Sequence, residues 1–183
     1  MSDHIRLSFW FSAQPATQVL PRLAQAAEQL PAEAQQRGVR LLSVVAFDWQ
    51  QAALLEEEYE TGIAFEAALE AMREFLQPDC ACRVEMAWLL WRYQEGIWTQ
   101  APHSIQLASL GPDFGREERA IEDEGQVVVD FGLDEVFLAE RAPWNVETRR
   151  HLQANILQLL AYCHKAQQQL QPKKRLLWSE DED

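Results

Sequence analysis

Apolar and polar positions alternate strictly over residues 4–12: Ile5, Leu7, Phe9 and Phe11 share one face, and Arg6, Ser8, Trp10 and Ser12 the other. A period of two marks a half-buried strand. From Pro15 the period changes, and Val19, Leu20, Leu23, Ala27 and Leu30 recur at helical spacing. Pro21 falls in the opening turn of that helix, where a missing N–H is harmless, and Pro31 breaks it. Gly38 is the expected left-handed close. Residues 39–47 are nearly all apolar, as in an interior strand covered on both faces. The opening therefore reads as a strand–helix–strand crossover with both strands running the same way.

Further along, the pattern weakens and then returns. Residues 48–60 hold five acids and no base, and the spacing does not separate helix from loop. Thr61 is the expected N-cap of a second helix with the stripe Phe65, Leu69, Met72 and Leu76, stopped by Pro78. Residues 82–93 read as a long strand with Val84, Met86, Trp88 and Leu90 on one face. After a turn at residues 94–96, residues 97–100 and 104–110 read as two short returning strands with Pro102 between them. Residues 126–131 and 135–138 read as a hairpin around Gly132 and Asp134. The last helix runs from Asn145, its cap, to Gln171, with the stripe Leu152, Ile156, Leu159, Cys163, Ala166 and Leu170.

The predicted fold is a single α+β domain over residues 1–171. It has a mostly antiparallel sheet of about five to seven strands, an N-terminal strand–helix–strand unit and a long C-terminal helix packed on the sheet. All the helices are expected on one side. Residues 172–183 are expected to be a charged, flexible tail, in which Trp178 serves as a docking residue or as an anchor to its own domain.

Charge changes the picture next. The chain of 183 residues carries 16 Lys+Arg against 29 Asp+Glu, a formal net charge of −13. Such a charge repels nucleic-acid backbones and anionic membranes. No apolar run approaches the roughly 20 residues that span a bilayer. The opening residues lack the features of a signal peptide, so a cytoplasmic location is expected. The acids are grouped: Glu56, Glu57, Glu58 and Glu60; Asp113, Glu117, Glu118, Glu122, Asp123 and Glu124; and the final Glu-Asp-Glu-Asp. Against them stands a basic stretch from Arg141 to Arg175. Blocks of this kind mark interaction surfaces or tails.

Candidate chemistry is sparse. Cys80, Cys82 and Cys163 lack metal-site spacing, and reduced, inert thiols are expected. No phosphate-binding glycine loop or nucleophile elbow occurs, and no catalytic residue or cofactor is assigned. Asp130 interrupts an apolar strand; with Asp134 and Glu135 it forms a candidate Mg²⁺ or Ca²⁺ site, against the plainer reading of a charged strand edge. Trp88, Trp91 and Trp98 either stack a ligand or fill the core, and Trp10 is the better surface candidate.

The first expectation for function is a non-enzymatic cytosolic interaction protein. Its acidic residues, with Trp10, would meet a basic protein partner. The general profile is similar to that of bacterial toxin-neutralising immunity proteins and of secretion chaperones, a likeness of composition that attaches to no particular residue. The alternatives are a small-molecule or divalent-metal domain, possibly an enzyme, at Asp130, Asp134 and Glu135, and an obligate homodimer that buries the Trp10 face.

Overall fold

A computed structural model describes residues 3–117, 119–138 and 141–179. The strands are β1 (His4–Trp10), β2 (Val39–Ala46), β3 (Ala53–Ile63), β4 (Cys80–Gln94), β5 (Ile97–Leu110), β6 (Val127–Leu133) and β7 (Lys174–Ser179). The helices are α1 (Val19–Ala27), α2 (Ala32–Arg37), α3 (Phe65–Arg73), α4 (Ala120–Glu124), α5 (Glu135–Leu138) and α6 (Val146–Leu170). The strands form one sheet in the order β3-β2-β4-β5-β6-β1-β7, every neighbouring pair antiparallel. The chain is an α+β single domain, as the periodicity predicts. Strands β1 and β2 do run the same way, but three strands separate them.

The sheet is covered unequally. Leu7, Phe9, Leu42, Val84, Trp88, Leu107 and Val129 on one face are fully buried beneath Leu23 of α1, Ala34 of α2, Met72 of α3 and Tyr162 of α6. The opposite face has a smaller apolar cluster at one end, where Phe114 and Ala120 of the connection before β6 cover Val45, Ala81, Ala108 and Leu110. Trp49, in the turn after β2, packs edge-on against Phe114 at 4.8 Å. The 111–125 connection is thus a second, partial layer.

Several sequence expectations are corrected by these contacts. The undetermined segment 48–60 becomes a turn followed by β3, an edge strand, and Thr61 lies inside that strand; α3 is entered from Ala64 instead. The two short returning strands are one, β5. Pro102 lies opposite Leu89 where β5 is paired on one side only, a setting in which strands tolerate proline. The residues read as the second half of a hairpin form α5, because the Asp134 carbonyl accepts from the N–H groups of Phe137 and Leu138 and turns the chain into a helix. Where a flexible tail is expected, residues 174–179 form β7 against β1. The final Glu-Asp-Glu-Asp lies outside the described residues.

The strongest local predictions hold. Asn145 caps α6, its side-chain oxygen accepting from the Thr148 N–H at 2.8 Å. Gly38 has φ +73°, and an added Cβ there would meet the Ile63 carbonyl oxygen at 2.2 Å. The turn at Glu95 and Gly96 has positive φ at both residues, which suits a two-residue hairpin.

Candidate functional site

Cross-strand register places two ladders of side chains on the face that the five sheet-packing helices leave uncovered. The first crosses all seven strands: Glu58, Leu41, Glu85, Gln106, Asp130, Arg6 and Trp178. The second is Glu56, Ser43, Arg83, Ala108, Val128, Ser8 and Leu176. Directly opposed residues share a face, so each ladder is a continuous row. The first row is exposed or half-buried throughout. Seven strands at about 4.8 Å make it about 30 Å wide.

Charge is unevenly spread along these rows. At the β1 side Asp130 is neutralised: its carboxylate accepts from Arg6 Nε at 3.1 Å, from His4 Nδ1 at 3.0 Å and from the Gly132 N–H at 2.7 Å. At the β3 side Glu56, Glu58 and Glu85 stand together. Arg83 lies between the two groups. Its Nε donates to Ser43 Oγ at 3.3 Å and its guanidinium lies 5.6 Å from the Trp49 ring. The Trp49 indole N–H reaches Glu124 Oε2 at 3.3 Å, which brings the second acidic group to the same face. A cavity of about 170 Å³ opens here between Arg6, Trp49, Arg83, Gln106, Glu124 and Asp130.

The acids named from the sequence are therefore only partly gathered. Glu56, Glu58 and Glu124 share the open face. Glu57 points to the other side of β3, where the Tyr59 hydroxyl donates to it and is pushed above its ordinary pKa by that carboxylate. Glu60 is exposed near the end of the strand. Asp113 pairs with Arg116 at 3.4 Å and Glu122 pairs with Arg119, exposed contacts that are locally neutral and each worth at most about 1 kcal/mol. Glu117 and Asp123 are exposed, and Glu118 lies outside the described residues.

Trp10 is not a free aromatic surface. Its indole N–H donates to the carbonyls of Ile121 at 2.8 Å and Glu122 at 3.2 Å, and Lys174 Nζ lies 4.2 Å above the ring. Trp10 holds α4 onto the sheet. Trp88 is fully buried, while Trp91 and Trp98 stack on His151 at 3.9 and 5.1 Å, so these three belong to packing.

The alternative metal site does not assemble. Among the described residues no three His, Cys, Asp or Glu side chains converge to hold an ion. Asp130 spends its oxygens on Arg6, His4 and Gly132. Asp134 opens α5, and Glu135 lies 3.9 Å from Arg141. The cysteines are buried thiols: burial pushes Cys82 up to about 12 and Cys163 up to about 11, which keeps both protonated and unreactive at neutral pH. His103 is buried with Nε2 against the Phe131 carbonyl oxygen, and burial lowers its pKa.

Arg83, Glu85, Gln106 and Trp49 were not singled out from the sequence. The available signal was the interruption of an apolar strand by Arg83 and Glu85, which alternate with Val84 and Met86. Comparison with protein-family models, curated proteins and solved structures finds no match to this chain. Among the described residues no helix is long and apolar enough to cross a membrane.

Proposed function

We propose that this chain is a non-enzymatic cytoplasmic binding protein that receives a basic protein partner on the open face of its sheet. The observation that carries this reading is the unequal cover of the sheet, which leaves Glu58 and Glu85 in one cross-strand row on the less covered face, with Glu56 and Glu124 on the same face. A broad, flat face suits a protein. Small-molecule sites are usually cavities of about 300–1,000 Å³, and the cavity beside Arg83 measures about 170 Å³. Trp49, Trp178, Arg6 and Arg83 add the residue types in which binding energy concentrates. The carboxylates steer a cationic partner and fix its orientation, while the aromatic and arginine side chains supply contact area. A toxin neutralised through its basic substrate-binding surface and a secreted protein held by a chaperone both have this chemistry.

The test is capture of a partner from the native cell, followed by association kinetics against salt. The reading requires an association rate that falls steeply as ionic strength rises and a large further loss on combining Glu56→Lys, Glu58→Lys and Glu124→Lys. A rate indifferent to both overturns it. So does a partner whose binding survives these changes but is lost on altering the helical face.

A further inference from the structure

The open face of the sheet has a dip in it. In the second ladder two small side chains, Ala108 and Val128, stand between Arg83 on β4 and Ser8 on β1. Trp49 and Glu124 close one side of the gap that they leave, and this gap is the cavity of about 170 Å³. Water occupies about 30 Å³ per molecule in the liquid, so the space holds several waters or one side chain. It is well short of the roughly 300 Å³ at which whole small-molecule sites begin.

Two arginines line this cavity, and they differ in their pairing. Arg6 is paired with Asp130 at 3.1 Å. Arg83 has no acidic side chain within ion-pair distance among the described residues: its Nε is committed to Ser43 Oγ at 3.3 Å and its guanidinium lies 5.6 Å from the Trp49 ring. The side chain is thus held in place while its two Nη groups have no protein partner among those residues. Gln106, diagonal to Arg83 across the β4–β5 pairing, lines the same cavity, and its carboxamide is likewise unpartnered among the described residues. Glu124 accepts a single hydrogen bond, from the Trp49 indole N–H at 3.3 Å. Unused donors on Arg83 and Gln106 and unused acceptors on Glu124 therefore border one small space.

We propose that this cavity receives a carboxylate of the partner that has a cationic neighbour, Arg83 and Gln106 donating to the carboxylate and Glu124 accepting from the cation. A guanidinium whose Nε is occupied offers a carboxylate its two Nη donors in a planar fork. A lone cation would meet Arg83 and a lone anion would meet Glu124, whereas the pair matches both. The inference rests on the open face receiving a basic protein, and it adds what selects among such proteins. Glu56, Glu58 and Glu85 attract any cationic surface. Arg83 reverses the sign at one point, so it repels a surface that is cationic there and admits one that carries an acid in register.

Two capped peptides, acetyl-Lys-Asp-Lys-amide and acetyl-Lys-Asn-Lys-amide, test this when titrated into the protein, with the Trp49 indole N–H and the Arg83 Nε–H followed by NMR. The asparagine peptide is the more cationic, so attraction by an acidic face alone favours it. A carboxylate site reverses that order, and the aspartate peptide is expected to bind about tenfold tighter. Arg83→Gln, which keeps a donor for Ser43 Oγ, should abolish or invert the preference; Arg73→Gln, an exposed change on α3, should leave it intact. Acetyl-Lys-Ala-Lys with a free C-terminus separates the two sources of a carboxylate: binding tighter than that of the aspartate peptide makes a chain end the ligand, and weaker binding makes it a side chain. Equal binding of the two capped peptides, preference for asparagine, binding of neither, or a preference that survives Arg83→Gln overturns the proposal. None of these outcomes involves the captured partner, whose salt-dependent association tests the acidic face separately, so the cavity can fail while that reading stands.

Discussion

The carboxamide of Asn155 pairs with the backbone of Trp91 as another strand would. The Trp91 N–H donates to Asn155 Oδ1 at 2.9 Å, and Asn155 Nδ2 donates to the Trp91 carbonyl at 2.8 Å. The same Nδ2 reaches the Val136 carbonyl at 2.6 Å, so one fully buried side chain ties β4, α5 and α6 together. Helix α6 can pack beside β4 only because these backbone groups find partners there.

Removing that carboxamide strands three backbone groups in the interior. Asn155→Leu should destabilise the protein by about 3 kcal/mol, read from the urea midpoint. Asn155→Asp should also destabilise, because a carboxylate keeps the Trp91 N–H but faces two carbonyl oxygens. A change near zero for both would mean that α6 is held by its apolar stripe alone.

Gly38 and Gly62 face each other where β2 begins and β3 ends. Both have φ +73°, and a Cβ on either would meet a backbone oxygen at 2.2 Å, Ile63 for Gly38 and Arg37 for Gly62. Gly38→Ala should therefore cost about 3 kcal/mol, combining left-handed strain with a backbone clash. Gly96→Asn is the contrasting case. It also has positive φ, but no atom lies within 4 Å of its Cβ position, so a cost under about 1 kcal/mol is expected. Thermal melts of the two variants measure the difference.

His103 titrates with a lowered pKa in the folded protein because its ring is buried. The unfolded chain then binds the proton more readily, so stability is full above the ordinary value near 6.5 and falls as pH drops through and below it. His103→Gln, which can still donate to the Phe131 carbonyl, should flatten this fall as pH drops through and below the ordinary histidine value. Parallel denaturation curves of the two proteins isolate the contribution from that of the carboxylates. An identical pH dependence in both would count against the buried neutral imidazole.

Legibility along the chain follows burial. The α6 stripe was readable because Leu159, Cys163, Ala166 and Leu170 all join one apolar layer and Leu152 is buried as well; only Ile156, 40% exposed, departs from the stripe. Strand β3 was not readable. As an outermost strand it is wetted widely, so its acids hide the inward residues Leu55, Tyr59 and Ile63, and register shifts against β2 disturb the period further. Strand β7 misled for the opposite reason: Lys174 and Arg175 suggest a solvated tail, while hydrogen bonds from Arg175 to α6 and from Trp178 to β1 make it a strand.

The same distinction runs through the candidate site. That Asp130 points away from Val129 and Phe131 was evident from alternation, and so was the grouping of Arg6 with Ser8 and Trp10. Their meeting was not, since 124 positions separate Arg6 from Asp130 and only the pairing of β1 with β6 brings them together. Once paired, the aspartate belongs to an internal charge cluster, and the carboxylates without an ion-pair partner among the described residues lie at Glu58 and Glu85 further along its row and at Glu56 in the neighbouring one.

Local order in the sequence therefore determined what each segment wants to bury: the strand period near Ile5, the helical stripes, the Asn145 cap, the glycine turns and the acidic blocks. Those signals are carried by neighbours a few residues apart. The tertiary structure alone decided strand order and which acids share a face. Each of those depends on contacts between distant segments, and the free energy of such contacts belongs to the assembled sheet rather than to any one stretch of chain.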